Sequence, residues 1–174
     1  RQVAAGCGAL RLDAERTRAN TLELARAAGA GGMVGGQWLD LLAEGSTVGA
    51  GRLEAIHGRK TGALFAAAAR MGGLLAGADA GTIQALGAYG DALGLAFQIA
   101  DDVLDVTGDA DVLGKSPGKD RAQAKATYPA LLGVGGAERK AEATIAAGEA
   151  ALEAAGIADP ALRALLRFAV DRER

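Results

Sequence analysis

The sequence predicts an all-α fold: part of a helical bundle with one acidic helix near its centre. Three observations carry this. Apolar residues recur at three- and four-residue spacing through nearly every segment long enough to show a period. No run alternates apolar and polar residues as a half-buried strand would. The breaks between periodic segments fall at Gly, Pro, Asp and Thr, the residues that stop and start helices.

The elements follow in order. "LDAERTRANTLELARAAG" is amphipathic and stops at Gly29. Asp13, Glu15, Arg16 and Arg18 form its charged face. A Gly-rich joint, "AGAGGMVGGQ", comes next, then "QWLDLLAEG", a short helix ending at Gly45. "RLEAIHGRK" and "TGALFAAAARMGGLLAGA" read as two helices meeting near Lys60 and Thr61, with Thr61 as the N-cap of the second. "DAGTIQALGAYGDALGLAFQIADDVLDVTGD" is the longest helical pattern; Asp79 or Thr82 starts it and Gly108 stops it. Its second half is apolar on nearly every side, which marks a central helix. "GDADVLGKSPGKDRAQAKATYP" is a polar loop. "ERKAEATIAAGEAALEAAG" and "PALRALLRFAVDRER" are closing helices, with Pro160 near the start of the last. No linker and no repeat divides residues 1–174, so they read as one domain.

Composition narrows the function. Half of the 174 residues are hydrophobic but only 3% are aromatic, so the core is built mainly of Ala, Leu and Val. The 27 glycines disfavour isolated helices, at roughly 1 kcal/mol each relative to Ala, so packing must hold the helices in place. A net charge of −2 gives no nucleic-acid footprint and no polybasic membrane signal. Charges interrupt every apolar run before the roughly 18 residues of a membrane span, which argues against stable membrane insertion. The single cysteine, Cys7, excludes an internal disulfide and has no activating neighbour in sequence; it fits a reducing, cytoplasmic setting. The opening "RQVAAGCGAL" lacks an initiator Met, which reads as a processed or partial chain.

The chemistry concentrates in "FQIADDVLDVTGD". Gln98, Asp101, Asp102 and Asp105 share one stripe of the long helix, and Asp109 extends it. Carboxylates in an apolar run repel one another and lose hydration unless protons or a cation neutralise them. Hard divalent cations such as Mg²⁺ take oxygen ligands, typically one or two carboxylates together with phosphates and water. A zinc site of His and Cys is excluded, because the only His and the only Cys are far apart in sequence. A solvated charged face is the plain alternative, and the apolar flanks argue against it. Lys115, Lys119, Arg121 and Lys125 follow in the loop, and Lys60 lies at the other helix junction. Carboxylates that hold Mg²⁺ beside lysines outline a diphosphate site. "LGKSPGKD" has neither the spacing nor the preceding strand of a phosphate-binding P-loop.

"GLAFQIADDVLDVTGDADVLGKSPGKD" resembles the second aspartate-rich motif of the trans-isoprenyl diphosphate synthases, the farnesyl and geranylgeranyl diphosphate synthase family. "GMVGGQWLDLLAEG", "LEAIHGRKTGALFAAAARMGGLLAGA" and "KATYPALLG" resemble further segments of that family in the same order, and the bacterial short-chain, farnesyl-type members are most similar. The resemblance implies the C-terminal half of an isoprenoid synthase-type helical bundle. It implies that Asp101, Asp102 and Asp105 hold Mg²⁺ against an allylic diphosphate, with Lys60, Thr61, Gln98, Lys115 and Lys125 contacting that substrate. Such enzymes ionise the allylic diphosphate, join the cation to isopentenyl diphosphate, lose a proton, and usually act as homodimers. Mg²⁺ serves as Lewis acid on the leaving group, and apolar walls keep water from the cation.

The family also has a first aspartate-rich motif, an arginine pair after it and an isopentenyl-diphosphate pocket, none of which occurs in these 174 residues. The chain as written is therefore expected to make no prenyl diphosphate alone. Two other classes share the features present: a non-catalytic diphosphate-binding or partner subunit of a complete synthase, and a Mg²⁺-dependent terpene synthase that ionises without condensing. Among the remaining residues, Gln37 and Asp40 are expected to be structural hydrogen-bonding groups, and His57 to lie at the surface or in a cap. Trp38, Phe65 and Phe97 are expected in the core, with Phe97 also suited to line a prenyl pocket, and Tyr128 is expected to pack down the segment after the loop.

Overall fold

Asp13 starts the first helix: its carboxylate accepts the Arg16 N–H at 2.8 Å, and α1 (Ala14–Ala28) runs from there to Gly29. The computed structural model describes residues 13–107 and 126–171. Every regular element among them is helical.

The joint after α1 is shorter than its glycines suggest. Helix α2 (Met33–Ala43) begins inside the Gly-rich stretch and takes up Gly35 and Gly36. Packing decides this against propensity. A Cβ on Gly36 would lie 2.2 Å from the backbone N of Lys60, so only glycine lets α2 approach the Lys60 backbone so closely. Helix α3 (Ala50–His57) leads into a π-helical turn (Gly58–Gly62), which leads into α4 (Ala63–Ala76). The expected break at Lys60 and Thr61 is absent. The Ala63 N–H donates to the Gly58 carbonyl, five residues back, and His57, Gly62 and Ala63 all keep right-handed helical angles. Thr61 therefore caps nothing. A π turn inserts a residue without ending the helix, and such turns are frequent at functional sites.

Asp79 starts the longest helix, α5 (Ala80–Thr107), accepting the Thr82 N–H at 2.9 Å and its hydroxyl at 3.0 Å. The segment expected as a polar loop lies mostly outside the described residues, and α6 (Tyr128–Leu132), α7 (Val134–Ala154) and α8 (Pro160–Asp171) follow it in sequence. Pro160 occupies the first position of α8, where its missing N–H is harmless. Asp159 caps that helix, accepting the Ala161 N–H at 2.7 Å.

Helix α5 is central, as its all-round apolarity predicts: α4, α6, α7, α8 and the π turn all pack on it. Tyr89, Leu93 and Ala96 of α5 meet Ile145 and Leu152 of α7 and Leu166 of α8. Further along, Ile99 joins Leu53, Tyr128, Ala137 and Ala141. Burying a Leu or Ile side chain contributes about 1.5–3 kcal/mol, and the small Ala and Gly residues between them let helix backbones come close. Glycine meets glycine where α5 crosses the π turn: a Cβ on Gly94 would lie 2.6 Å from the Gly62 Cα. Arg163 and Arg167 of α8 pair with Glu153, Glu142 and Glu149 of α7, but these side chains are largely exposed and add little.

Two placements expected from sequence, one in the core and one at the surface, change. Trp38 is 62% exposed, and Val34, Leu41 and Leu42 lie exposed beside it on α2. This face of α2 is turned away from α3 and the π turn, against which the helix packs with its other side. His57 is not at the surface: it is 6% exposed, with its ring 5.6 Å from that of Tyr128. Phe65 and Phe97, half-buried, pack on each other with ring centroids 5.6 Å apart, at the edge of the core. No helix among the described residues is long and apolar enough to cross a membrane.

Candidate diphosphate site

The site is assembled where α2, the π turn, α5 and α6 meet. Thr61 leaves the π turn toward α5, and its hydroxyl donates to Gln98 Oε1 at 3.0 Å. Gln98 Nε2 donates to Asp102 Oδ1, one turn further along α5, at 3.4 Å. Asp102 Oδ2 accepts the backbone N–H of Tyr128 at 3.0 Å. A single hydrogen-bonded chain thus runs from the π turn across the central helix to α6. Next to Thr61, Lys60 turns toward α2, where its Nζ lies 2.7 Å from Asp40 Oδ2.

The three motif carboxylates differ in their surroundings. Asp101 and Asp105 are half-buried and one turn apart, on one side of α5. Asp102 is 4% exposed and turned into the protein. The expectation that all three project together as one acidic face is therefore not what the helix presents. Asp102 is on the flank where α5 meets α6, so its oxygens go to the protein's own donors. Turning it outward would leave the Tyr128 N–H unpaired in a buried place, which costs roughly 1–3 kcal/mol.

Among the described residues that N–H bonds to Asp102. It opens α6, where the helix supplies no acceptor for its first N–H groups. Pro129 has no N–H, and the Ala130 N–H is taken by the Thr127 hydroxyl at 3.3 Å. Asp102 and Thr127 together satisfy the first turn. The Tyr128 ring is buried against Leu53, Ile99 and Ala137, and burial pushes its phenol pKa up, with the Glu54 and Asp102 charges adding to the effect. Its hydroxyl oxygen is buried with no hydrogen-bond partner among the described residues.

The donor set offers the oxygen ligands that a hard cation takes. Asp101 and Asp105 offer oxygen ligands only, and among the described residues no three His, Cys, Asp or Glu side chains gather to hold a metal ion by themselves. Two carboxylates, with phosphate oxygens and water completing the shell, is how Mg²⁺ is commonly held. The residues present therefore fit Mg²⁺ shared with a phosphorylated ligand.

Of the residues singled out in the sequence, Lys60, Thr61, Gln98, Asp101, Asp102 and Asp105 gather around one end of α5. Lys115 and Lys125 lie outside the described residues, as do Cys7, Asp109, Lys119 and Arg121. Asp40 acts as the hydrogen-bonding group expected of it, but as the partner of Lys60, which its sequence position did not disclose. The Tyr128 N–H was missed, since a backbone donor leaves no trace in residue type; Pro129 beside it was the available hint.

The chain is similar to known proteins in sequence and in fold. The polyprenyl synthetase family model matches residues 9–157. The farnesyl diphosphate synthase of Escherichia coli (strain K12) is 54% identical over 121 residues, covering 68% of this chain and 40% of that protein. The farnesyl diphosphate synthase of Geobacillus stearothermophilus is 41% identical over 150 residues, covering 86% of this chain and 50% of that protein. A crystal structure of the geranyltransferase of Helicobacter pylori, complexed with magnesium and isoprenyl diphosphate, superposes with a TM-score of 0.77 at 30% identity, over 92% of this chain and 52% of that one. The chain spans about half the length, or less, of these relatives.

Proposed function

Because the chain belongs to the polyprenyl synthetase family, we propose that it supplies the allylic-diphosphate side of a prenyltransferase. The reaction joins an allylic diphosphate to isopentenyl diphosphate and releases diphosphate and a proton; the product is a short-chain, farnesyl-type prenyl diphosphate. The observation that carries this reading is that Lys60 and Thr61 of the π turn meet the central helix at Gln98, which shares that helix with Asp101 and Asp105. The functional form is a homodimeric, cytoplasmic enzyme.

The roles follow from the chemistry of each group. Lys60 and Thr61 bind the allylic diphosphate, Lys60 as a compact charge already aimed by Asp40. Gln98 orients the Thr61 hydroxyl. Asp101 and Asp105 would hold Mg²⁺, and Lys115 and Lys125 add positive charge for the same diphosphate. Mg²⁺, when bound, supplies Lewis-acid neutralisation of the leaving diphosphate. The allylic C–O bond then breaks, the electron pair leaves with the diphosphate, and the isopentenyl double bond attacks the carbon left behind. Phe65 and Phe97, packed together on the neighbouring faces of α4 and α5, offer an apolar wall that excludes water.

The test uses the complete polypeptide that carries this segment, with isopentenyl diphosphate and a short allylic diphosphate, with and without Mg²⁺. Prenyl diphosphate formed only with Mg²⁺ is the expected result. No condensation with any allylic diphosphate would overturn the reading. The 174 residues alone hold a single acidic motif of this kind and should make no product; condensation by them alone would refute that part.

A further inference from the structure

We propose that Asp102 is a positioning residue, anchored to the Tyr128 N–H, which orients Gln98 and through it the Thr61 hydroxyl, and that it stays in this role when the diphosphate and its cation bind. The proposal rests on the reading of the site given above and assigns to the middle carboxylate of the motif a task different from that of its neighbours.

Three observations carry it. First, the surroundings of the carboxylates differ: Asp101 and Asp105 are half-buried, and Asp102 is 4% exposed. Second, both Asp102 oxygens face N–H donors, Tyr128 N at 3.0 Å and Gln98 Nε2 at 3.4 Å. A buried carboxylate keeps its charge where such donors replace its water, and charge-assisted bonds of this kind are about twice as strong as neutral ones. Third, the Tyr128 N–H opens α6, where the helix supplies no acceptor, and the Thr127 hydroxyl accepts the Ala130 N–H, so among the described residues Asp102 is its acceptor.

The consequence reaches the substrate side through Gln98. An amide has one accepting and one donating end. The negative charge of Asp102 draws the Nε2 end, so the Oε1 end must face Thr61. Reversing the amide would set Oε1 against the Asp102 carboxylate and Nε2 against the Thr61 hydroxyl. The Thr61 proton is therefore directed toward α5, and the oxygen's lone pairs and the second Nε2 hydrogen are left for a ligand beside Lys60. Asp102 touches no substrate in this scheme. It fixes which atoms of Gln98 and Thr61 the substrate meets.

Hydrogen–deuterium exchange resolved at the Tyr128 amide tests the anchor in the complete, unmodified protein, with and without Mg²⁺ plus inorganic pyrophosphate. Equal protection in both conditions is expected. Protection that falls by about tenfold or more on adding Mg²⁺ and pyrophosphate would overturn the proposal, since Asp102 would then have left Tyr128 for the cation. Asp102→Asn tests the positioning role. It should speed Tyr128 exchange by about tenfold. It should also raise KM for the allylic diphosphate by about tenfold, with KM for isopentenyl diphosphate unchanged. A variant that loses only kcat, with both KM values and Tyr128 exchange intact, refutes the positioning role. If the unmodified protein catalyses no condensation, the substrate reading fails on that result, and the exchange experiment still judges the anchor. If Asp102→Asn does not fold, the measurement on the unmodified protein still decides.

Discussion

Lys60 Nζ lies 2.7 Å from Asp40 Oδ2, and this pair ties the π-helical turn to α2. The two groups come from separate helices and are only partly exposed, with side-chain exposures of 32% and 16%. The cation is thus held in one direction before any ligand arrives. A long, flexible lysine left unpaired would have to lose its rotamer freedom on binding, and Asp40 has already fixed it.

Asp40→Asn keeps the shape and removes the charge. A hydrogen bond to a charged group contributes roughly 1.5–3 kcal/mol, so KM for the allylic diphosphate should rise about tenfold or more. Lys60→Ala should raise the same KM further, because the charge itself is gone. Steady-state kinetics with each substrate varied in turn checks both. An effect confined to isopentenyl diphosphate would show that Lys60 belongs to another site.

Asp101 is the half-buried carboxylate nearest the Gln98 end of the stripe, whereas Asp102 is buried and held by the Tyr128 N–H. Asp101→Ala in the complete protein should weaken Mg²⁺-dependent diphosphate binding and slow turnover, by about tenfold or more. A Mg²⁺ titration of the rate reads this directly. Kinetics identical to the unmodified enzyme would take Asp101 out of the site.

Gly36 separates packing from propensity. Its Cβ would lie 2.2 Å from the Lys60 backbone N, so Gly36→Ala must push α2 off the π turn. Overpacking of this kind costs about 1–3 kcal/mol, and Lys60 should lose register with Asp40 as well. Gly51, in the exposed first turn of α3, is the control: a Cβ there meets nothing within 4 Å. Gly51→Ala should stabilise by about 0.4–1 kcal/mol. Thermal melts of the two variants should move in opposite directions; melts that move together would mean that the Gly36 contact is not a tight one.

The helices were legible because their cause is local. Periodicity placed α1, α4, α5, α7 and α8, and Asp79 and Pro160 marked two starts correctly. Of the expected stripe of Gln98, Asp101, Asp102 and Asp105, the half-buried pair Asp101 and Asp105 was legible from spacing, and the burial of Asp102 was not. What failed depended on contacts between distant segments. Thr61 has the residue type of a cap, yet the π turn keeps the chain helical through it and sends its hydroxyl to Gln98. Trp38 and His57 exchanged places, the first exposed and the second buried, because composition does not say which side of a helix finds a neighbour. Asp102 has the same residue type as Asp101, and its bond to the Tyr128 N–H, 26 residues away in sequence, could not be read from residue type.

Tyr128 carries the last prediction, a pH dependence. Burial, with the Glu54 and Asp102 charges, raises its phenol pKa above the ordinary 10.0. In the unfolded chain the phenol ionises near 10.0, while in the folded protein it stays neutral, so above pH 10 the unfolded state holds fewer protons than the folded one. Stability should therefore be unaffected by this group below pH 10 and fall as pH rises from 10 toward the raised folded value. Tyr128→Phe removes the titration and also the buried hydroxyl oxygen that has no partner among the described residues. The variant should be as stable as the unmodified protein at pH 7, or more so by up to about 1 kcal/mol, because no hydrogen bond is lost with an unsatisfied group. Between pH 10 and 11 it should lose stability less steeply. Denaturant unfolding at pH 7 and across that alkaline range measures both effects, and parallel alkaline slopes in the two proteins would exclude Tyr128 as their source.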